Sequence, residues 1–134
     1  MKKSLLVMMI VLLLSSCAKK NALELKISET KVAQDEAWVI SYTLKNKSNR
    51  EYAVDTSVTL ELMDPNTAEW TTSDIELVFF PTALTLANKK SYSAELHGDQ
   101  IIPRLAKGKY RLRKTVFDGK GNELHIVSEA FTVE

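Results

Sequence analysis

Hydrophobic and polar residues alternate along most of this chain with a period of two. Leu23, Leu25 and Ile27 are separated by Glu24 and Lys26, and Trp38, Ile40, Tyr42 and Leu44 form a longer set with Ser41 and Thr43 between them. Successive side chains of a strand point to opposite faces, so this pattern predicts strands with one face buried. It recurs at Val58–Leu62, Ile75–Phe79, Tyr92–Leu96 and Lys109–Phe117, with shorter pieces at Tyr52–Val54 and Leu84–Leu86. Turn residues separate the runs: Asn46-Lys47-Ser48-Asn49, Asp64-Pro65-Asn66, Pro81, Asn88-Lys89-Lys90 and His97-Gly98-Asp99. Helical spacing is weak; Gln100–Ala106 offers one turn, limited by Pro103.

The last third predicts a hairpin. Asp118-Gly119-Lys120-Gly121-Asn122 has glycines able to take positive φ, and the return strand starts at Glu123 with Leu124 and Ile126 on one face. Phe131 and Val133 lie on the opposite parity, which predicts a β-bulge near Ser128–Ala130. Short strands at this spacing predict an all-β fold, an antiparallel sandwich of seven or eight strands, with a small closed barrel as the alternative.

The N-terminus follows a different pattern. Met1-Lys2-Lys3 is positive, Leu5–Leu14 is entirely apolar, and Ser15-Ser16-Cys17 follows. A charged start, a short apolar run and small residues before a cut site make a secretory signal. Ten apolar residues fall short of the roughly 20 needed to span a bilayer. Leu14-Ser15-Ser16-Cys17 resembles the lipobox of bacterial lipoproteins. That resemblance implies a diacylglyceryl group on the Cys17 thiol, cleavage just before it, and attachment to the extracytoplasmic face of a cell membrane. The expected organisation is a signal peptide, formed as a helix, at 1–16; the lipidated Cys and a short tether at 17–22; and one domain at 23–134. More than one acyl chain is needed for stable anchoring.

Composition narrows the function. Removing residues 1–16 leaves 118 of the 134 residues, enough for one domain with a real core. It also leaves 16 basic against 17 acidic side chains, without the basic footprint that nucleic-acid binding needs. Cys17 is the single Cys, so the domain must fold without disulfides.

Candidate chemistry is sparse. His97 and His125 are the two histidines, without the ligand spacing of a metal site. Ser91, Ser93 and Ser128 lie in strand patterns without a nucleophile-elbow motif. Glu61, Asp64, Glu69, Asp74 and Glu76 read as outward strand positions and turns. Arg111, Arg113 and Lys114 make one strand basic, with Arg111 and Arg113 on the solvated face of Thr115. Neither a cofactor, a metal nor catalysis is expected.

Recognition is the remaining class, because sandwich loops carry binding residues. Trp70 follows a turn, and Phe79 and Phe80 are adjacent and so face opposite ways. These three aromatics are the candidate partner contacts, for an unknown protein or cell-wall partner, with the domain acting as a monomer.

Gly108-Lys109-Tyr110 places a Tyr at the start of a strand, two residues after a Gly. Immunoglobulin-type sandwiches use a Tyr in this place as a corner, its hydroxyl bonded to nearby backbone; Gly108 is expected to permit the close approach. From Leu23 to Glu134 the chain resembles bacterial immunoglobulin-like domains of small lipoproteins and cell-surface proteins, mostly Gram-positive. The resemblance rests on Trp38–Lys45 closing on Asn46, Glu69-Trp70, Gly108-Lys109-Tyr110-Arg111-Leu112 and Glu129-Ala130-Phe131-Thr132-Val133. The chain departs at Ala87-Asn88, where that pattern carries a Pro-Gly turn. The resemblance implies a non-catalytic binding or accessory module, with proteinase inhibition through end loops as the alternative.

Overall fold

The computed structural model describes residues 22–55, 57–73, 75, 77, 84–101 and 103–134. The expected signal helix, Cys17, Phe79 and Phe80 lie outside them. Eleven strands are present among the described residues: β1 (Leu23–Ile27), β2 (Lys31–Val32), β3 (Val39–Asn46), β4 (Tyr52–Val54), β5 (Thr59–Met63), β6 (Trp70–Thr72), β7 (Leu84–Leu86), β8 (Ser91–His97), β9 (Gly108–Phe117), β10 (Glu123–Val127) and β11 (Phe131–Val133). They form two sheets, neither closed into a barrel. One has the order β1-β3-β8. The other is built around β9, which pairs with β10 and β11 on one side and with β4 and β5 on the other. β6, β7 and β2 extend it beyond β5, β4 and β11.

Alternation produces the core as expected. Ile40, Tyr42 and Leu44 of β3 are buried, as are Leu60 of β5, Leu112 and Val116 of β9, and Phe131 and Val133 of β11. Trp38 precedes β3, half-buried, and its ring lies 6.1 Å from that of Phe131. Phe131 in turn stacks on Tyr110 at 5.8 Å. Gly98 buries its backbone beneath the Trp38 indole, and a Cβ there would come within 2.2 Å of the ring.

The sandwich has more strands than the expected seven or eight: eleven among the described residues, of which the two-residue β2 and the Trp-Thr-Thr β6 show no alternation. The sandwich is also not purely antiparallel: β2 runs parallel to β11. Ile75 and Leu77 lie outside any strand, and the turn expected at Gln100–Ala106 is instead a 3₁₀ turn at Gly98–Gln100. Leu124 is exposed and Ile126 half-buried, since β10 lies at an open side of the sandwich.

Two breaks in register shape the large sheet. Between β10 and β11 the pairing with β9 slips by one residue, a bulge at the expected place. Ser128 fills the gap: its Oγ accepts from Leu112 N at 2.9 Å, and its own N–H donates to Leu112 O at 2.8 Å. Between β4 and β5 the pairing slips by two residues, leaving the backbone of Asp55, Ser57 and Val58 off the ladder.

Asn46 closes β3 and is fully buried. Its amide donates to Arg50 O, Leu86 O and Ala87 O, and its Oδ1 accepts from Ser48. One side chain thus ties two loops together. At Ala87–Lys90, where a Pro-Gly turn is missing, Lys89 itself takes the left-handed conformation at φ 61°.

Candidate recognition face

The outward face of the large sheet is assembled by the pairings of β5, β6, β9 and β10. Register sets Glu61 opposite Arg111, Thr59 opposite Arg113 and Met63 opposite Trp70. Side chains on one face of paired strands lie close enough to interact. Arg111 Nε donates to Glu61 Oε1 at 2.8 Å, and Arg113 Nη1 stands 3.8 Å from Glu61 Oε2. The Arg111 guanidinium also lies 4.4 Å from the centre of the Trp70 ring, a cation–π distance. Trp70, Arg111, Glu61 and Arg113 therefore form one continuous ladder.

One sequence expectation needs correction here. Glu61 points outward but is only 6% exposed, covered by the two arginines. Lys114, the third cation of this basic strand, is on the opposite, core side of β9 and fully buried. The ladder therefore holds two cations and one covered carboxylate, and Arg113 Nε has no partner among the described residues. Trp70 is half-buried on an open face and does not belong to the core cluster. The face continues past Thr115, whose Oγ1 lies 3.1 Å from His125 Nδ1, to exposed Val127 and Phe117.

Beside this face, β10 and β1 bound a cleft of about 560 Å³ lined by Leu23, Leu25, Tyr52, Leu124, Ile126 and Val127, with Glu24 and Lys47 at its rim. The Lys47 ammonium holds the Glu24 carboxyl below its usual range. Tyr110 Oη donates to Ala106 O at 2.7 Å, four residues back along the chain. A Cβ at position 108 would meet Leu62 Cδ1 at 3.4 Å and Tyr110 Cε2 at 3.7 Å, ordinary contacts, so this approach does not require glycine.

Other reactive side chains serve structural ends. Ser93 Oγ bonds Thr43 Oγ1 at 2.9 Å, and His97 Nε2 bonds Glu95 at 3.0 Å. No group of three or more His, Cys, Asp or Glu that could hold a metal occurs among the described residues. The geometry of the ladder suits stacking and ionic contacts rather than bond making.

Two sheets packed face to face, a bulged last strand and a tyrosine bonded back to its own loop define an immunoglobulin-like sandwich. The chain belongs to the Bacterial Ig-like domain family, whose pattern it matches over residues 19–132. None of the curated proteins matches it. Among solved structures it is similar to the X-ray structure of Northeast Structural Genomics Consortium target SoR45, at 14% identity and a TM-score of 0.53, covering 87% of this chain and 88% of that one. That likeness is one of fold alone. It is also similar to the putative ApaA protein of Bordetella pertussis, at 13% identity and a TM-score of 0.47, covering 83% of this chain and 88% of that one. The alkylpurine DNA glycosylase AlkC of Pseudomonas fluorescens, bound to DNA containing an abasic site analog, gives 14% identity and a TM-score of 0.46; the match covers 92% of this chain but 33% of the glycosylase.

Proposed function

We propose that this protein is a lipid-anchored, non-catalytic binding or accessory module on the extracytoplasmic face of a bacterial membrane, and that its recognition surface is the outward face centred on Trp70. Trp70 carries this reading. It lies outside the core, on an open sheet face, held in orientation by Arg111, which is itself held by buried Glu61. A large aromatic fixed at a surface at such cost in order is the usual anchor of a binding hot spot. Membership in an immunoglobulin-like family supports a module that binds rather than reacts. The signal and lipobox at Leu14–Cys17 support the anchor.

Two measurements test it. Cys17→Ala should abolish incorporation of labelled fatty acid and leave uncut precursor; label on the variant overturns the anchor. The intact lipidated protein, used as bait against solubilised cell-envelope proteins and purified wall polymer, should capture a partner that Trp70→Ala loses, with affinity weakened by about 2 kcal/mol or more. A melting temperature that falls steeply while capture persists would instead assign Trp70 to stability.

A further inference from the structure

The two ends of the sandwich carry opposite charge, and the end that receives the N-terminal segment is the basic one. Register fixes which loops gather there. Leu23 pairs with Asn46, Lys45 with Ser91, Tyr52 with Leu86 and Ala53 with Phe117. Loops 47–51, 87–90 and 118–122 therefore share one end with Ala22. Lys47 N donates to Ala22 O at 2.8 Å, and Asn46 N to Lys90 O at 2.9 Å, so the contact is direct. These loops carry Lys47, Arg50, Lys89, Lys90 and Lys120, all exposed, against Glu51, Asp118 and the Glu24 that pairs with Lys47. The opposite end, with loop residues 33–38, 64–69, 98–101 and 103–107, carries Asp35, Glu36, Asp64, Glu69 and Asp99 against Arg104 and Lys107. The whole chain has a formal net charge of only +1, so this polarity comes from folding and not from composition.

We propose that the basic end docks on an anionic lipid surface, so that the anchored domain stands with its acidic end outward. The proposal rests on lipidation of Cys17. From Cys17 to Ala22 the chain reaches less than about 20 Å, so the tether holds the domain near enough for the basic loops to come within about 8 Å, the Debye length at physiological salt over which charged headgroups act. Trp70 follows turn 64–69 at the acidic end, so docking in this orientation turns the recognition ladder away from the bilayer.

The test uses the intact lipidated protein on vesicles of phosphatidylcholine alone and of phosphatidylcholine mixed with phosphatidylglycerol. Flotation reports the anchor, and backbone amide exchange reports the orientation. The protein should float with both. Amides of 47–51, 87–90 and 118–122 should slow several-fold on the anionic vesicles only, and high salt should remove the effect. The triple variant Arg50→Glu/Lys90→Glu/Lys120→Glu changes side chains that make neither a hydrogen bond nor an ion pair among the described residues; it should still float but lose the protection. Equal exchange on both vesicles, or protection of 33–38 and 64–69 instead, overturns this proposal alone. Failure to float with phosphatidylcholine overturns the anchor and the docking that rests on it.

Discussion

Lys114, on the core side of β9, donates its ammonium to the main-chain carbonyl of Asp55, in the backbone that the β4–β5 slip leaves off the ladder. Ser57 O accepts from the same ammonium, and Asp55 Oδ1 lies 3.5 Å away. A β-sheet bulge strands carbonyl groups inside a sandwich, and stranded polar groups are costly. A buried lysine is equally costly without partners. Here each removes the other's cost, and the Tyr92 ring adds a face 5.5 Å from the ammonium.

Lys114→Met keeps the length and loses the donor. Two part-buried carbonyls then lack their partner, and stability should fall by about 1–3 kcal/mol, or roughly 4–12 °C in melting temperature. Burial pushes the Lys114 pKa below its ordinary value, with Asp55 opposing. The folded chain therefore releases this proton before the unfolded chain does. Stability rises with pH in the interval below 10.5, where the unfolded state binds more protons. Urea titrations of both proteins should show the wild-type advantage widening as pH approaches that value. A narrowing advantage would show that attraction to Asp55 outweighs burial.

Tyr42 has the opposite sign. Its Oη is buried without a partner among the described residues, and burial, with smaller contributions from Tyr92 and Asp55, pushes its pKa from 10.0 up to about 12. The folded state keeps this proton longer. The associated stability is complete below pH 10 and is lost as pH rises from there through about 12; two units correspond to about 2–3 kcal/mol. Tyr42→Phe should remove that alkaline loss. At neutral pH it removes an unsatisfied hydroxyl and should leave stability unchanged or raise it by about 1 kcal/mol. A marked loss at neutral pH would mean that the hydroxyl is bonded after all.

Tyr110→Phe removes a hydroxyl bonded at 2.7 Å and leaves Ala106 O without it. The expected cost is about 1–2 kcal/mol. An unchanged denaturation midpoint would show that solvent replaces the bond and that the corner adds nothing to stability.

What the sequence made legible was local. Tyr110 could be read because its partner is four residues away, and the bulge at Ser128 because alternation changes parity on the same strand. The outward ladder was only half legible: Trp70 stood out as an aromatic hard to bury, but its partner Arg111 lies on a different strand. The cover over Glu61 was missed for the same reason, and the partners of Lys114 were beyond reach: alternation identifies the face of each, yet what surrounds it lies 50 or more residues away. β2 has two residues, too few to show a period, and β6 is Trp-Thr-Thr, without a second apolar residue to alternate. The charge polarity of the two ends appears only after register has gathered separate loops.

Gly98 and Trp38 provide the last prediction, a steric coupling across two elements. Gly98 N donates to Trp38 O at 2.9 Å, which holds the two backbones together while the indole lies over the glycine. An added Cβ would sit 2.2–2.6 Å from three ring atoms, far inside contact distance. Gly98 does not have a positive φ, so alanine suits its backbone and the cost is purely one of space. Gly98→Ala should therefore cost about 1–3 kcal/mol by forcing the indole off Phe131. Trp38→Leu alone should also destabilise, because the half-buried ring loses that packing. In the Trp38→Leu background the alanine has room, and its cost should shrink to about 0.5 kcal/mol or less, the non-additivity expected of two sites in direct contact. Thermal melts of the two single variants and the double variant close the cycle. Equal costs of Gly98→Ala in both backgrounds would show that something other than the indole requires glycine there.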